Sequence, residues 1–216
     1  MNRRLGILIS GRGSNLQALI DAARDGSLDA TVAVVISNRA DAAGLERARR
    51  AGIETLCLDH RASSSRDEHD RAVARELRAR NIGLVCLAGY MRLIGAPLLE
   101  AFPDAILNIH PSLLPAFPGV DAPRQALRHG AAVTGVTVHL VTAELDDGPI
   151  IIQRPVQVMA DDTPETLSAR ILVEEHRAYA EAVGTVLDGG WRVEGRRFVR
   201  SGNAASASRS PHRVSG

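Results

Sequence analysis

Short apolar runs alternate with helix-period segments through the first half of the chain, and this alternation restricts the fold more than any other feature. Leu5–Ile9 reads as a first strand, and Asn15–Arg24 follows as a helix with Leu16, Leu19, Ile20 and Ala23 on one face. Thr31–Ile36 is almost continuously β-branched or apolar, the pattern of a strand covered on both sides. Ala43–Ala51 reads as a helix and Glu54–Leu58 as a strand. Ser65–Ala79 reads as a helix opened by Asp67 and Glu68, with Val73 and Leu77 one turn apart. Leu84–Ala88 and Ala105–Ile109 are two further strands. Strands alternating with helices predict an α/β fold, a doubly wound and mainly parallel sheet. Ligands of such sheets bind outside the carboxyl ends of the strands.

Beyond Ile109 the pattern changes. A Pro-rich loop, HPSLLPAFPG, is followed by a short helix, Arg124–His129. Thr134–Val141 and Pro149–Val158 read as strands joined by the turn ELDDGP, an antiparallel C-terminal extension. Thr163–Leu187 is a long amphipathic helix, and Trp191–Arg200 a small hairpin around Glu194–Gly195. Residues 201–216 form a Ser/Ala/Arg tail, carrying Arg209 and Arg213 after Arg200, that is expected to be disordered and without function. Residues 1–200 are expected to make a single domain.

Composition narrows the chemistry. With 216 residues, 45% hydrophobic and 24% charged, the chain can bury an adequate core without metal or disulfide support. The 26 basic and 25 acidic residues leave a net charge of +1, so no general attraction to nucleic acid or anionic lipid is expected. All the basic residues are Arg, which excludes Schiff-base or Lys-nucleophile chemistry. Cys57 and Cys86 stand apart in apolar stretches, form no Cys-x-x-Cys pattern, and are expected as two buried thiols in a reducing compartment. No metal site is expected. No run of 18 apolar residues occurs, so no membrane span is expected, and the opening MNRRLGILIS is too short for a signal segment. A cytoplasmic protein is expected.

Four motifs carry possible chemistry. SGRGSNLQ, Ser10–Gln17, joins the first strand to the first helix, with Gly11 and Gly13 permitting a tight turn and Ser14 and Asn15 suited to capping the helix. A helix start approached in this way binds anions. Leu16 replaces the third glycine of a dinucleotide fingerprint and no Gly-Lys-Ser/Thr follows, so a single phosphate fits best. Asn108 and His110 lie two apart at a strand's carboxyl end and project from one face, a neutral donor beside a titratable one. Such a pair can hold an oxyanion and move a proton, whereas the other histidines (His60, His69, His129, His139, His176, His212) read as satisfied core or surface imidazoles. In Glu144–Pro149, either Asp146 or Asp147 could supply a carboxylate to His110. Glu175 falls on the apolar stripe of the long helix, stepped by four with Ile171, Tyr179 and Val183; a buried carboxylate there requires a partner. Arg66, Arg92 and Arg124 lie near predicted strand ends or loops.

Taken in order, LISGRGSNLQALIDA, SNRADAAGLERARRAGI, LAGYMRLI, LNIHPSLLPAFPG, RQAL, VTAELDDGPIIIQ and EEH resemble the phosphoribosylglycinamide formyltransferase family, from residue 5 to about 180. LNIHPSLLP is shared across the wider folate-dependent formyltransferase superfamily; SGRGSN and the length point to the purine enzymes. The resemblance implies a Rossmann-like formyltransferase fold with a phosphate-binding N-terminal half, about 1–105, and a folate and catalytic part, about 106–200. It implies formyl transfer from 10-formyltetrahydrofolate to the amine of glycinamide ribonucleotide in purine biosynthesis, with no metal. Asn108, His110 and Asp146 match the catalytic trio, the Asp after Leu selecting Asp146 over Asp147. Gly13, Ser14 and Asn15 match the substrate phosphate loop and Glu175 a position near the ribonucleotide. Arg66, Met91, Arg92, Leu93, Ile94, Val141, Thr142 and the stretch on to Asp146, together with Asn108, match the folate site. Val120–Pro123 departs from the family pattern, where many members carry histidines.

Methionyl-tRNA formyltransferase resembles a longer chain with an RNA-binding domain, which the short tail and neutral body disfavour. Formyltetrahydrofolate deformylase typically has an additional N-terminal domain, whereas strand one here starts at residue 5. A non-catalytic folate- or nucleotide-binding module would lack Asn108, His110 or Asp146. The expected partners are the two small-molecule substrates, with no nucleic acid and no membrane, the protein being a monomer or homodimer.

Overall fold

A computed structural model describes residues 2–201. The tail expected to be disordered lies outside the described residues, Ser201 apart. In chain order the elements are β1 (Arg4–Ile9), α1 (Ser14–Asp25), β2 (Thr31–Ser37), α2 (Ala43–Arg50), β3 (Glu54–Cys57) and α3 (Arg66–Ala79). Next come β4 (Leu84–Leu87), α4 (Ala96–Ala101), β5 (Ile106–His110), α5 (Ala122–Arg128), β6 (Val133–Leu140) and β7 (Ile150–Gln157). The long α6 (Pro164–Asp188) and the hairpin β8 (Trp191–Glu194) and β9 (Arg197–Arg200) complete it. One sheet of nine strands runs β3-β2-β1-β4-β5-β6-β7-β9-β8. Strands β1 to β5 are mutually parallel; β6 and β7 reverse direction as an antiparallel extension.

The parallel strands are apolar because helices cover both faces. All of β4 is buried, as are the last five residues of β1. Strand order turns back at β1, so β4 and β5 continue on its other side, and the crevice of a doubly wound sheet opens at the carboxyl ends of these neighbours. Helix α6 packs on β6 and β7, reaches β5, and lies against α1. It starts from a capping box between Thr163 and Thr166 and buries Leu167, Ile171, Ala178, Tyr179, Ala182, Val183 and Val186. Tyr179 is fully buried, and its hydroxyl lies 2.9 Å from the Leu87 carbonyl and 3.2 Å from that of Leu107. That bridge sets Tyr179 over β4 and β5, and Glu175, one turn earlier on α6, meets Asn15 of α1.

Two local expectations differ from the structure, and one helix has no counterpart in the sequence reading. Helix α1 buries Ala22 and leaves Ala23 only half covered. Helix α4 is too short to show periodicity, and Pro97 in its first turn is the sequence mark of its start. Cys57 is exposed, correcting the reading of two buried thiols: it ends β3, an edge strand whose outer side no neighbour covers. Cys86 is buried in β4, where loss of hydration pushes its thiol up to about 12. A thiolate-selective reagent at pH 8 is therefore expected to titrate Cys57 in the native protein and Cys86 only after denaturation. Rapid native reaction at Cys86 would contradict the packing of β4. Among the described residues, no helix is long and apolar enough to cross a membrane, and no group of three or more His, Cys, Asp or Glu side chains could hold a metal ion.

Candidate active site

The end of β5 projects Asn108 and His110 from one face of the sheet. The antiparallel register sets Asn108 opposite His139 and His110 opposite Thr137 on β6. The chain leaving β6 turns and returns through residues 144–148, and this turn carries Asp146 back to the same place. Asn108 Nδ2 donates to Asp146 Oδ1 at 3.4 Å, and His110 Nδ1 lies 3.4 Å from Asp146 Oδ2. The side chains of His110 and Asp146 are 5% and 6% exposed, so solvent screens their attraction weakly. On its other edge His110 Nε2 donates to the Phe117 carbonyl at 2.8 Å. Both ring nitrogens thus face oxygen acceptors.

Burial acts to raise the carboxyl pKa of Asp146, but the contact with His139, the Gly119 N–H and the charges of His110 and His139 outweigh it and hold the group below its ordinary value. The Gly119 N–H donates at 2.8 Å, and His139 Nε2 stands 3.8 Å away. The backbone of Asp146 has φ 51°, in the left-handed region that short polar residues tolerate. Asp147, the other candidate, faces outward and pairs with Arg196. The structure therefore brings Asp146, not Asp147, to the imidazole. His139 was read from sequence as a satisfied imidazole. It does bond the Leu140 carbonyl at 2.8 Å, but its other nitrogen lies 3.3 Å from Asn108 Nδ2, beside the trio. Only the β5–β6 register exposes that contact.

The loop Ser10–Gly13 follows β1 directly. The helix cap is Gly13, at φ 73°, rather than Ser14 or Asn15, and no side chain caps the first turn. A Cβ on Gly13 would sit 2.8 Å from Gly44 Cα, so α2 approaches too closely for any other residue. The uncapped N–H groups of α1 are open to an anion. Asn15 is buried one residue into the helix and donates to Glu175 Oε2 at 2.8 Å, across 160 residues of sequence. Among the described residues its Oδ1 has no partner. Burial raises the Glu175 pKa, and the Asn15 bond offsets this in part.

Between β4 and α4, the segment Tyr90–Gly95 is tied at several points. The Met91 N–H donates to Ser10 Oγ at 2.8 Å, which joins it to the loop after β1. The Tyr90 hydroxyl lies 2.9 Å from His69 Nε2, and the Gly95 N–H donates to Asp70 Oδ2 at 2.6 Å. Met91 and Leu93 remain exposed while Ile94 is buried, and Arg92 is half-buried. Arg66, the first residue of α3, lies against Gly95. Val141 follows β6 with its N–H on the Ile106 carbonyl at 2.9 Å, and Thr142 opens the turn to Asp146. Arg124 is set aside by its ion pair with Asp121 in the first turn of α5.

The sheet is that of a doubly wound α/β protein, with an Asn–His–carboxylate cluster at the carboxyl end of β5. The chain belongs to the formyl transferase family, which it matches over residues 3–183, and within it to the phosphoribosylglycinamide formyltransferases. It is 43% identical to phosphoribosylglycinamide formyltransferase of Escherichia coli, covering 92% of this chain and 97% of that one. It is 46% identical to the human trifunctional purine biosynthetic protein adenosine-3 over 86% of this chain, but spans only 18% of that protein's length. The crystal structure of glycinamide ribonucleotide transformylase 1 from Symbiobacterium toebii has 57% identity and a TM-score of 0.91, covering 92% of this chain and 94% of that one.

Proposed function

We propose that the protein transfers the formyl group of 10-formyltetrahydrofolate to the amine of glycinamide ribonucleotide, yielding formylglycinamide ribonucleotide and tetrahydrofolate for purine biosynthesis. The observation that carries this reading is the meeting of Asn108, His110 and Asp146 at the carboxyl end of β5. The family relationship supports the choice of donor and acceptor.

Transfer is direct. The substrate amine attacks the formyl carbon, forming a C–N bond, and the carbonyl oxygen becomes an oxyanion. Asn108 Nδ2 and protonated His110 donate to it, the imidazole through Nδ1, whose contact with Asp146 is no closer than 3.4 Å, while Nε2 stays on the Phe117 carbonyl; one such donor is worth about 2.7–4 kcal/mol of barrier. Collapse breaks the bond to N10, and the proton lost by the amine reaches N10, with Asp146 aiding the relay through water. The uncapped start of α1 at Gly13, Ser14 and Asn15 takes the substrate phosphate, and Glu175 faces the ribonucleotide. Arg66, Met91–Ile94, Val141 and Thr142 line the folate, the exposed Met91 and Leu93 supplying apolar surface for it. Neither a covalent enzyme intermediate nor a metal ion is required by these steps. Residues 1–200 act as one domain, in the cytoplasm, as monomer or homodimer.

The test is the absorbance change on release of tetrahydrofolate, followed with and without glycinamide ribonucleotide. Release that requires the ribonucleotide is expected. Equal release without it would indicate a deformylase, and release in neither case a binding module.

A further inference from the structure

Asp146 holds a left-handed backbone angle, and such a conformation persists only where its surroundings fix it. Its inward contacts are those of the site itself. The outward restraint comes from the next residue. Both oxygens of Asp147 are bonded by the two terminal nitrogens of the Arg196 guanidinium, a fork-on-fork pair that sets direction as well as distance. The pairing holds the Asp147 carboxyl below its ordinary pKa.

Arg196 stands at the tip of the β8–β9 hairpin, beyond the residues matched by the family. The hairpin is itself anchored. Trp191 stacks on Phe198 with ring centroids 4.9 Å apart, and its indole N–H donates to the Val186 carbonyl at 2.9 Å. Strand β9 meets β7 where Arg197 pairs with Ile150, three residues past Asp147. On the inner side, Gly148 lies so close to β6 that an added Cβ would fall 1.8 Å from the Leu140 carbonyl. Asp147 is thus held between a fixed strand and a fixed hairpin.

We propose that Arg196 is a positioning residue: by clamping Asp147 it orients the turn so that the neighbouring Asp146 carboxylate faces His110. The inference rests on the function proposed above. Positioning losses of this kind reach about 10²-fold for a displacement near 1 Å, and an exposed pair governs less than that. Arg196→Ala is therefore expected to lower kcat about three- to tenfold, leaving the KM of both substrates within about twofold. Asp147→Arg alone, facing Arg196, is expected to lower kcat at least as far. The exchanged double variant, Asp147→Arg with Arg196→Asp, restores kcat to within about twofold of the parent. Hydrogen exchange of residues 142–148, measured on the same proteins, is expected to quicken in Arg196→Ala and to slow again in the double variant. A kcat for Arg196→Ala within about twofold of the parent, or a double variant no better than Asp147→Arg alone, would overturn the proposal. A parent without ribonucleotide-dependent transfer, but with faster exchange in Arg196→Ala, would instead refute the proposed function and leave the clamp on the turn standing.

Discussion

Asp146→Asn is expected to lower kcat by roughly 10²-fold or more, with the KM of each substrate changing less than about threefold. The amide matches the carboxylate in shape and can still accept the Gly119 N–H, which donates to Asp146 Oδ2 at 2.8 Å. What it loses is the negative charge beside His110, with both side chains nearly sealed from solvent. A ground-state complex barely uses that charge; a transition state with an oxyanion over a charged imidazole does. The pH dependence has a defined sign. The folded pKa of Asp146 is depressed, so its carboxylate contributes stability above its unfolded value, and that contribution is lost as pH falls through the folded pKa. The parent is therefore expected to lose stability below about pH 4 in part through Asp146, and Asp146→Asn to lose less over that range. Steady-state kinetics with thermal melts at pH 7 and pH 3.5 measure both effects. Turnover within twofold of the parent would remove Asp146 from the mechanism.

Glu175→Gln is expected to act in opposite directions on binding and stability. Burial raises the folded pKa of Glu175 above 4.5, so this carboxyl contributes stability fully below its unfolded value and loses it as pH rises through the folded one. At pH 8 the acid is a net cost to the empty protein. Glutamine keeps an acceptor for Asn15 Nδ2 and removes the titration, so Tm at pH 8 is expected to rise by a few degrees, about 2–4 °C per kcal/mol for a chain of this size. At pH 4 the difference should close. The ribonucleotide loses a charged acceptor, and its KM is expected to increase about tenfold, the scale of one charge-assisted hydrogen bond. Lower Tm together with an unchanged KM would show that Glu175 is a structural partner of Asn15 and nothing more.

The parallel half of the sheet was legible in the sequence because strands covered on both faces are apolar nearly throughout, as in Thr31–Ile36 and Leu84–Ala88. Asn108 and His110 were legible as a pair because strand geometry alone puts residues two apart on one face. The residues of the turn alone left Asp146 and Asp147 equal; the family resemblance, with its Asp after Leu, favoured Asp146. In the structure Asp147 pairs with Arg196, 49 residues away, and Asp146 faces His110. His139 was missed because its neighbours follow from the register of β6 on β5, which periodicity does not report. At the start of α1, cap preferences favoured Ser14 or Asn15, yet the close approach of Gly44 gives the position to Gly13. Ser10 reads as one more loop residue until its hydroxyl is seen to hold Met91 from 81 residues away.

Following a labelled formyl group tests whether it passes directly from the folate to the ribonucleotide. The protein is mixed with donor carrying ¹³C in the formyl group and with glycinamide ribonucleotide, and the products are weighed by mass spectrometry. The expected result is the label in formylglycinamide ribonucleotide, one carbon per molecule, with the Asp146→Asn protein forming it far more slowly. Label accumulating in formate at the same rate whether or not the ribonucleotide is present would contradict direct transfer between the two substrates.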